Sequence, residues 1–332
     1  MKRKIKIFCC LSIIVMFSLC LVSCKKKTTP TESFPQIVSG LKSYKMVGKL
    51  ETNFPSGTKE SVITTYYKSP GFYRVEIQNP NAVETQVMIK NDQGVFVLIP
   101  SVNKTFKVNT VWPTNNSYPY LLQSLSNDIV SDESINMTED TKEITLKAKL
   151  YNASDNLTQK ITFGEDNMPK EVVIYDSNKN VIMKYTVNQL ETNISLDDGL
   201  FVANQTLETL YTYYQENPVE YDRYVTYPTY YPEGTSLKEE TVTGSGDERV
   251  VIMKFSGECS YTIIEEYITD TKASKVEYMS SDVMVIGGVF GFVGTNNVEF
   301  YENGIEYTIA SNDVSILEMI KTLDSLRTTD IK

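Results

Sequence analysis

The stretch that decides the fold is Tyr67-Lys68-Ser69-Pro70-Gly71-Phe72-Tyr73-Arg74-Val75-Glu76-Ile77-Gln78. Ser69-Pro70-Gly71 has the residue types of a tight turn, because proline fixes φ and glycine tolerates conformations that other residues avoid. After the turn, apolar side chains at 73, 75 and 77 alternate with polar ones at 74, 76 and 78. This period of two is typical of a strand with one buried and one solvated face. The stretch therefore predicts a hairpin in a half-exposed antiparallel sheet.

The same pattern extends in both directions from this hairpin. Turn-forming residues separate the segments, and no crossover helix lies between them. The predicted strands are 44–50, 60–68, 73–78, 85–90, 95–99, 105–108, 144–150, 157–163, 171–175 and 181–187. A series of strands without crossover helices predicts a fold of the mainly β or α+β class. We expect one large curved antiparallel sheet that forms an incomplete barrel, with helices covering it.

Two short amphipathic helices, at 34–44 and 118–129, are the available cover for the apolar face of this sheet. A curved sheet of about ten strands presents more apolar surface than two short helices can bury. We therefore expect an apolar groove beneath them, filled by large side chains, by the acyl chain of a ligand or by an apolar segment of a partner. The candidate groove residues are Ile37, Leu41, Leu121, Leu122 and Leu125.

A second, smaller α+β module is predicted after a connector. Asp197-Asp198-Gly199 ends the strand pattern, and the tyrosine-rich connector at 201–220 is punctuated by Asn217-Pro218. The chain thus divides into a curved-sheet domain at 34–200 and a small α+β domain at 221–332. The predicted elements of the second domain are strands at 237–243, 248–255, 260–267, 282–286, 298–301 and 305–310, and a helix at 313–326 with Asn312 or Asp313 as its N-cap.

The N-terminus predicts export and a lipid anchor. A basic segment, Lys2 to Lys6, precedes an apolar run that is shorter than the roughly 20 residues of a spanning helix. Leu21-Val22-Ser23-Cys24 ends that run, so residues 1–23 are interpreted as a lipoprotein signal peptide and Cys24 as the lipid attachment site. Residues 24–33 form the tether, whose three lysines suit anionic headgroups. The alternative is an ordinary signal or an uncleaved anchor with a chance cysteine. The predicted location is the extracytoplasmic face of the cell membrane.

Composition excludes several classes of function. Removing residues 1–23 takes away four positive charges and no negative ones, so the net charge of −10 becomes −14, which disfavours nucleic-acid binding. The chain has no histidine, which excludes Ser-His-Asp and Cys-His nucleophiles and histidine-based zinc sites. After processing and acylation, Cys259 is the single remaining thiol, and a buried structural role is favoured over a reactive one. We predict no cofactor and no metal.

Three local patterns resemble functional sites: a glycine-rich segment, pairs of acidic residues and a group of tyrosines. For each of them the surrounding sequence also allows a structural explanation. Glycines at 287–294 suggest a phosphate loop, but strand-like residues follow them, which favours a turn between strands. The acidic pairs at 239–240, 247–248 and 265–266 suggest acid–base chemistry, but adjacent residues of a strand point to opposite faces, so solvated charge is favoured. The tyrosines at 211–231 suggest a partner-binding surface, with strand propensity and packing as the alternative.

Three segments together resemble the LolA/LolB-like lipoprotein carrier fold, in the YdcC-type form of anchored lipoproteins from spore-forming bacteria. They are Tyr67 to Arg74, Met88 to Pro100 and Pro169 to Asp176. The segment 228–326 resembles a small module of unknown function that often follows this fold. The resemblance implies a curved sheet whose concave face takes an acyl chain or a partner protein, without catalysis, and a role in sporulation or germination. One such lipoprotein is the partner of a cell-wall amidase.

The sequence thus predicts a membrane-anchored, non-enzymatic lipoprotein that binds an acyl chain or a protein partner in the cell envelope. The alternatives are a partner or activator of a cortex amidase, a carboxylate-dependent envelope hydrolase, and a purely structural envelope protein. A hydrolase would need two acids with separated pKa values in one cleft, and the sequence identifies no such pair. The oligomeric state does not follow from the sequence.

Overall fold

A computed structural model of the chain describes residues 29–79, 84–138, 142–150, 156–218, 224–268 and 276–328. The predicted signal peptide, Cys24 and most of the tether lie outside the described residues. Four α-helices are described: α1 (Pro30–Gly40), α2 (Leu122–Ser131), α3 (Ala203–Glu216) and α4 (Ile316–Asp324). The described strands are β1 (Ser43–Phe54), β2 (Gly57–Lys68), β3 (Phe72–Gln78), β4 (Thr85–Asn91), β5 (Gly94–Ile99), β6 (Lys104–Val108), β7 (Asn136–Thr138), β8 (Glu143–Lys147), β9 (Thr158–Phe163), β10 (Pro169–Tyr175), β11 (Val181–Thr192), β12 (Thr226–Pro228), β13 (Thr235–Thr243), β14 (Val250–Gly257), β15 (Tyr261–Tyr267), β16 (Val276–Met279), β17 (Asp282–Ile286), β18 (Val289–Val293), β19 (Asn297–Glu302), β20 (Ile305–Ala310) and β21 (Leu326–Thr328).

Most strands belong to two open sheets. The first has 12 strands in the order β16-β6-β5-β4-β3-β2-β1-β11-β10-β9-β8-β7, and the second has seven in the order β13-β14-β15-β20-β19-β18-β17. Every neighbouring pair is antiparallel except β16 with β6. The two end strands of the first sheet do not pair with each other, so the predicted mainly β fold with an open rather than closed barrel is confirmed.

Alternation along β1 shows why the first sheet forms. Tyr44, Met46 and Leu50 are almost fully buried, whereas Lys45 and Lys49 between them are half-exposed. The buried set lies on the concave face and contributes to the main hydrophobic core. Burial of each large apolar side chain is worth about 1.5–3 kcal/mol, so the register of the strand is strongly specified.

Helices α1 and α2 lie on the concave face, as predicted, but both are displaced along the chain. Helix α1 begins at Pro30, where proline has no N–H to lose, and it ends before Tyr44, which already belongs to β1. Helix α2 begins at Leu122 instead of 118. The segment before it stays non-helical because its backbone is used elsewhere: the Tyr120 carbonyl accepts a hydrogen bond from Thr65 Oγ1 at 2.9 Å.

Most of the segment predicted as a tyrosine-rich connector, residues 201–220, is helical, because α3 spans Ala203–Glu216. Helix α3 packs on the convex face of the first sheet, where Ala203 and Leu207 cover Val87, Ile89 and Phe96. Buried Arg74 binds the start of α3 to the sheet: its Nη1 donates to Leu200 O at 3.0 Å and to Thr206 Oγ1 at 2.7 Å. The connector is therefore part of the first sheet's packing.

The second sheet matches the predicted strand series and adds β18. The glycines before it form a turn between β17 and β18, with φ of +58° at Gly287 and +99° at Gly288, as the glycine pattern predicts. The last helix is shorter than predicted, and its N-cap is Ser315, whose hydroxyl accepts from Glu318 N at 3.3 Å. Asn312 and Asp313 lie outside it because Ser311 Oγ accepts from the backbone N–H of Asp313 instead.

Candidate functional site

The predicted groove residues are divided between closed core and an open cleft. Leu121, Leu122 and Leu125 have no exposed surface. Leu41 is 6% exposed, and Ile37 is half-buried at the edge of the core. The structure therefore places Leu122 and Leu125 of α2, and Leu121 at its N-cap, in sealed core, and it leaves Ile37 and Leu41 beside a cleft.

Part of the concave face is covered by the chain's own second sheet. Gln86, on β4, is 1% exposed; its Nε2 donates to Tyr301 O, and its Oε1 accepts from Phe290 N, both at 2.8 Å. Phe106 of the first sheet lies 4.9 Å from Phe292 between ring centroids. Of the three fillings expected from the sequence, large side chains are the one seen in this part of the core, and residues far along the same chain supply them.

The turn between β17 and β18 sits against the first sheet. A Cβ at Gly288 would lie 2.7 Å from Ser61 Oγ on β2. Beside it, Lys59 Nζ is 3.1 Å from Asp324 Oδ1, and Ser56 Oγ also donates to the carboxylate of Asp324. Polar contacts of this kind are directional, so they fix the orientation of the two sheets in a way that apolar contacts alone do not.

The open cleft lies at the end of α1 and is named here the strand-edge cleft. It has a volume of about 530 Å³. Its apolar lining consists of Ile37, Leu41, Met168, Pro169, Val187 and Leu190. Polar residues of the same lining include Asp166, Lys170 and Gln189. The cleft therefore offers both apolar surface and hydrogen-bonding groups to a bound segment.

One wall of the strand-edge cleft is an unpaired strand edge. Strand β10 pairs with β11 only as far as Thr186, opposite Glu171, whereas β1 pairs with β11 up to Thr192. Among the described residues, no strand pairs with the 187–192 part of β11 on the side away from β1. Pro169 accounts for this ending, because proline has no N–H to donate to the ladder.

The hydrogen-bond pattern identifies which backbone groups face the strand-edge cleft. Asn193 N donates to Ser43 O at 2.7 Å, so residues 193, 191 and 189 direct their backbone groups towards β1. By alternation, Leu190 and Thr192 direct their N–H and C=O groups away from β1, towards the cleft. Sequence reasoning identified Ile37 and Leu41 but missed this edge. The available signal was Pro169, two residues before the predicted strand at 171–175.

Buried carboxyls occur in the structure, but each has a structural partner. Burial raises the pKa of Glu84 and of Glu265 to about 7, and that of Asp128 to about 6. Glu84 accepts from Ser101 Oγ, Glu265 from the backbone N–H of Thr226, and Asp128 from Gln159 Nε2. The expectation that both members of the 265–266 pair are solvated is wrong for Glu265. This residue is fully buried, and hydrogen bonds from Thr226 satisfy its carboxylate oxygens. Glu266 is exposed, so the two neighbouring side chains do point to opposite faces of the strand.

The tyrosines and the thiol divide between core and surface. Tyr214 is buried, and its hydroxyl accepts from Thr85 N at 2.7 Å, whereas Tyr213 and Tyr224 are more than half exposed. Tyr221 lies outside the described residues. Burial raises the pKa of the half-buried Cys259 thiol, as expected for an unreactive structural cysteine.

Comparisons with known proteins identify relatives over the whole chain. A family model described as sporulation protein YdcC-like matches residues 2–201. Sporulation protein YdcC of Bacillus subtilis (strain 168) is 30% identical over 339 residues, which cover 98% of each chain. No helix of the described residues is long and apolar enough to cross a membrane.

Solved structures show more distant similarity. The MucA/MucB complex of Pseudomonas aeruginosa matches with 10% identity and a TM-score of 0.33, over 89% of this chain and 99% of the matched chain. A LolA superfamily protein of Nitrosomonas europaea matches with 11% identity and a TM-score of 0.31, over 53% of this chain and 96% of the other. The family match and the full-length relative decide the assignment. This chain belongs to the YdcC-like family of sporulation proteins.

Proposed function

We propose that this chain is a lipid-anchored lipoprotein on the extracytoplasmic face of the membrane, and that it binds a protein partner during sporulation without catalysing a reaction. The observation that carries the choice of a protein over an acyl chain is the partly covered concave face. Gln86 bonds to Tyr301 O and to Phe290 N, so the chain's own second sheet covers this part of the concave face. The strand-edge cleft stays open and presents unpaired backbone groups.

The partner presents an extended segment to this edge. Backbone N–H and C=O groups of Leu190 and Thr192 would bond to it as an added strand, which supplies affinity independent of sequence. Side chains on alternate residues of the segment would enter the apolar lining formed by Ile37, Leu41 and Val187, which supplies specificity. The unpaired part of β11 spans six residues, so it has room for a strand of roughly 20 Å.

Thr192→Pro tests the binding mode. Proline at this position removes an N–H that faces the cleft and leaves the ladder to β1 intact, whereas Thr192→Ala keeps the N–H and is the matched control. A photocrosslinking residue at 37 is introduced into each protein and activated in sporulating cells. We expect a protein adduct that Thr192→Pro loses and Thr192→Ala retains.

Two results would contradict the protein-partner proposal. One is an adduct that survives Thr192→Pro unchanged while both variants melt at the wild-type temperature. The other is saturable, stoichiometric binding of a fluorescent fatty acid to the purified protein, which would restore the acyl-chain hypothesis.

The lipid anchor is tested separately through Cys24. Two acyl chains give stable membrane attachment, and the three lysines of the tether alone do not. We expect Cys24→Ala to appear in the soluble fraction or as an uncleaved precursor, without label from a clickable palmitate analogue. Persistent label on this variant would refute the assignment of Cys24.

A further inference from the structure

The second sheet meets the edge of the first sheet around the side chain of Lys104, on β6. Lys104 Nζ lies 3.7 Å from Glu277 Oε1, on β16, and 3.5 Å from Glu306 Oε2, on β20. The same ammonium group lies 4.9 Å from the ring centroid of Tyr301, on β19. Strands of both sheets thus contribute to one polar cluster. It is named here the Lys104 junction and consists of Lys104, Glu266, Glu277, Glu299, Tyr301 and Glu306.

Carboxylates outnumber cations in the Lys104 junction. Tyr301 OH donates to Glu299 Oε1 at 2.7 Å. Glu306 stands directly opposite Glu266 of the neighbouring strand β15, an arrangement in which two charged carboxylates repel each other. Among the described residues, Lys104 is the only cation that forms an ion pair with any of these glutamates. When every group is ionised, the negative charges of the junction are therefore only partly compensated.

The charge of Glu299 depends on whether the interface is closed. Burial is the main reason why the pKa of Glu299 is raised to about 6, and repulsion from Glu306 and Glu277 adds to this effect. The hydrogen bond from Tyr301 and the charge of Lys104 act in the opposite direction. A glutamate in contact with water titrates near 4.3. The closed junction therefore keeps the proton on Glu299 at pH values at which an open, hydrated junction loses it.

The rest of the interface beside the junction is aromatic. The ring centroid of Phe106, on the first sheet, lies 4.9 Å from that of Phe292 and 5.0 Å from that of Tyr301. Phe292 also stands opposite Glu299 in the β18–β19 pair, so this neighbour brings no compensating charge. A charged Glu299 beside these rings is poorly hydrated, and this cost is relieved when the interface opens to water.

We propose that the Lys104 junction is a proton-sensitive latch, which holds the second sheet on the edge of the first while Glu299 is protonated and opens more often once Glu299 is charged. Opening separates Phe106 from Tyr301 and uncovers this part of the core. Because the closed state binds the proton more tightly, closure is strongest below about pH 4.3 and weakens as the pH rises through about 6. The latch is separate from the strand-edge cleft and does not depend on the proposed function.

Hydrogen exchange of backbone amides in the purified full chain tests the latch, because it reports local opening. Protection factors, corrected for the pH dependence of intrinsic exchange, are measured at pH 5, 6 and 7 for β19 and β20. The amides of β1 and β2, in the middle of the first sheet, are the internal reference. We expect protection at the junction to fall by about tenfold from pH 5 to pH 7 relative to this reference, as follows from the two pKa values of Glu299.

Glu299→Gln removes the titrating group with little change of shape. Glutamine can still accept the hydrogen bond from Tyr301 but cannot ionise, so protection at the junction should stay level from pH 5 to pH 7. Glu239→Gln is the matched control, because it removes an exposed carboxylate of the same sheet, where Lys254 is its partner. This control should show the same fall in protection as the wild type.

A second variant keeps the experiment decisive if Glu299→Gln fails to fold. Glu306→Gln removes the like-charge pair with Glu266 and keeps the contact of Tyr301 with Glu299, so its fall in protection should be shallower than that of the wild type. A thermal melt of each variant at pH 5 separates local opening from loss of the fold. The latch is overturned by a wild type without an excess fall at the junction, or by folded Glu299→Gln or Glu306→Gln proteins that fall as steeply as the wild type.

Discussion

At the residue scale, Leu121 is the position that best distinguishes a sealed core from a binding groove. Its apolar neighbours predict a helix over a groove, and the structure places Leu121 at the N-cap of α2 with no exposed surface. Leu121→Asp would bury a carboxylate, so it should cost more than the roughly 2–5 kcal/mol of a Leu→Ala truncation. We expect loss of the cooperative thermal transition.

Ile37→Asp is the matched control for Leu121, because Ile37 is half-buried beside the open strand-edge cleft. The new carboxylate can reach water there, so this variant should retain a cooperative melt at a somewhat lower temperature. Equal damage from the two substitutions would show that α1 and α2 are buried alike, and it would contradict the distinction between sealed core and open cleft.

At the element scale, the turn between β17 and β18 combines glycines that the sequence identifies as a turn with a long-range contact to β2. Gly288 has φ of +99°, and a Cβ there would lie 2.7 Å from Ser61 Oγ. Gly288→Ala should therefore destabilise the protein by at least about 1–2 kcal/mol, measured by urea unfolding. Gly40→Ala is the control, since no heavy atom lies within 4 Å of its added Cβ and alanine favours a helix. A neutral Gly288→Ala would indicate that the turn does not press on β2.

Local patterns predicted elements well and contacts poorly. Alternation such as Tyr73-Arg74-Val75 predicts strands because the two faces of a sheet differ in solvent exposure. The same reasoning missed α3, where the spacing of Ala203, Leu207 and Leu210 was a helical signal that the following tyrosines obscured. The filling of the concave face by Phe290 could not be predicted, because Gln86 lies about 200 residues away from it and no local period links the two.

At the scale of the whole molecule, the predicted division at 201–220 raises the question whether the first part of the chain folds without the second. We propose that residues 28–200 fold alone, as the sequence division predicts, but with the part of the concave face that the second sheet covers left exposed. The main core includes residues from both halves, so the fragment should melt below the full chain and should bind the dye ANS, which reports exposed apolar surface. A fragment that matches the full chain in both measurements would show that the second sheet contributes nothing to this core.

Stability of the whole molecule should fall as pH rises from about 5 to about 8. Burial raises the pKa of Glu84 and Glu265 to about 7 in the folded protein, whereas an unfolded glutamate titrates near 4.3. Between those values the folded state binds more protons than the unfolded state, so the free energy of unfolding decreases with increasing pH. Below that window the effect reverses, because hydrogen bonds from Ser134 lower the pKa of Asp132.

The double variant Glu84→Gln, Glu265→Gln isolates these two groups from the general repulsion of an acidic protein. Glutamine keeps the shape and hydrogen-bonding capacity of the protonated acid but cannot ionise. Urea unfolding at pH 5, 6.5 and 8 should give a shallower decline for the variant than for the wild type. Equal slopes would mean that the decline comes from the net charge of −10 and not from these buried carboxyls.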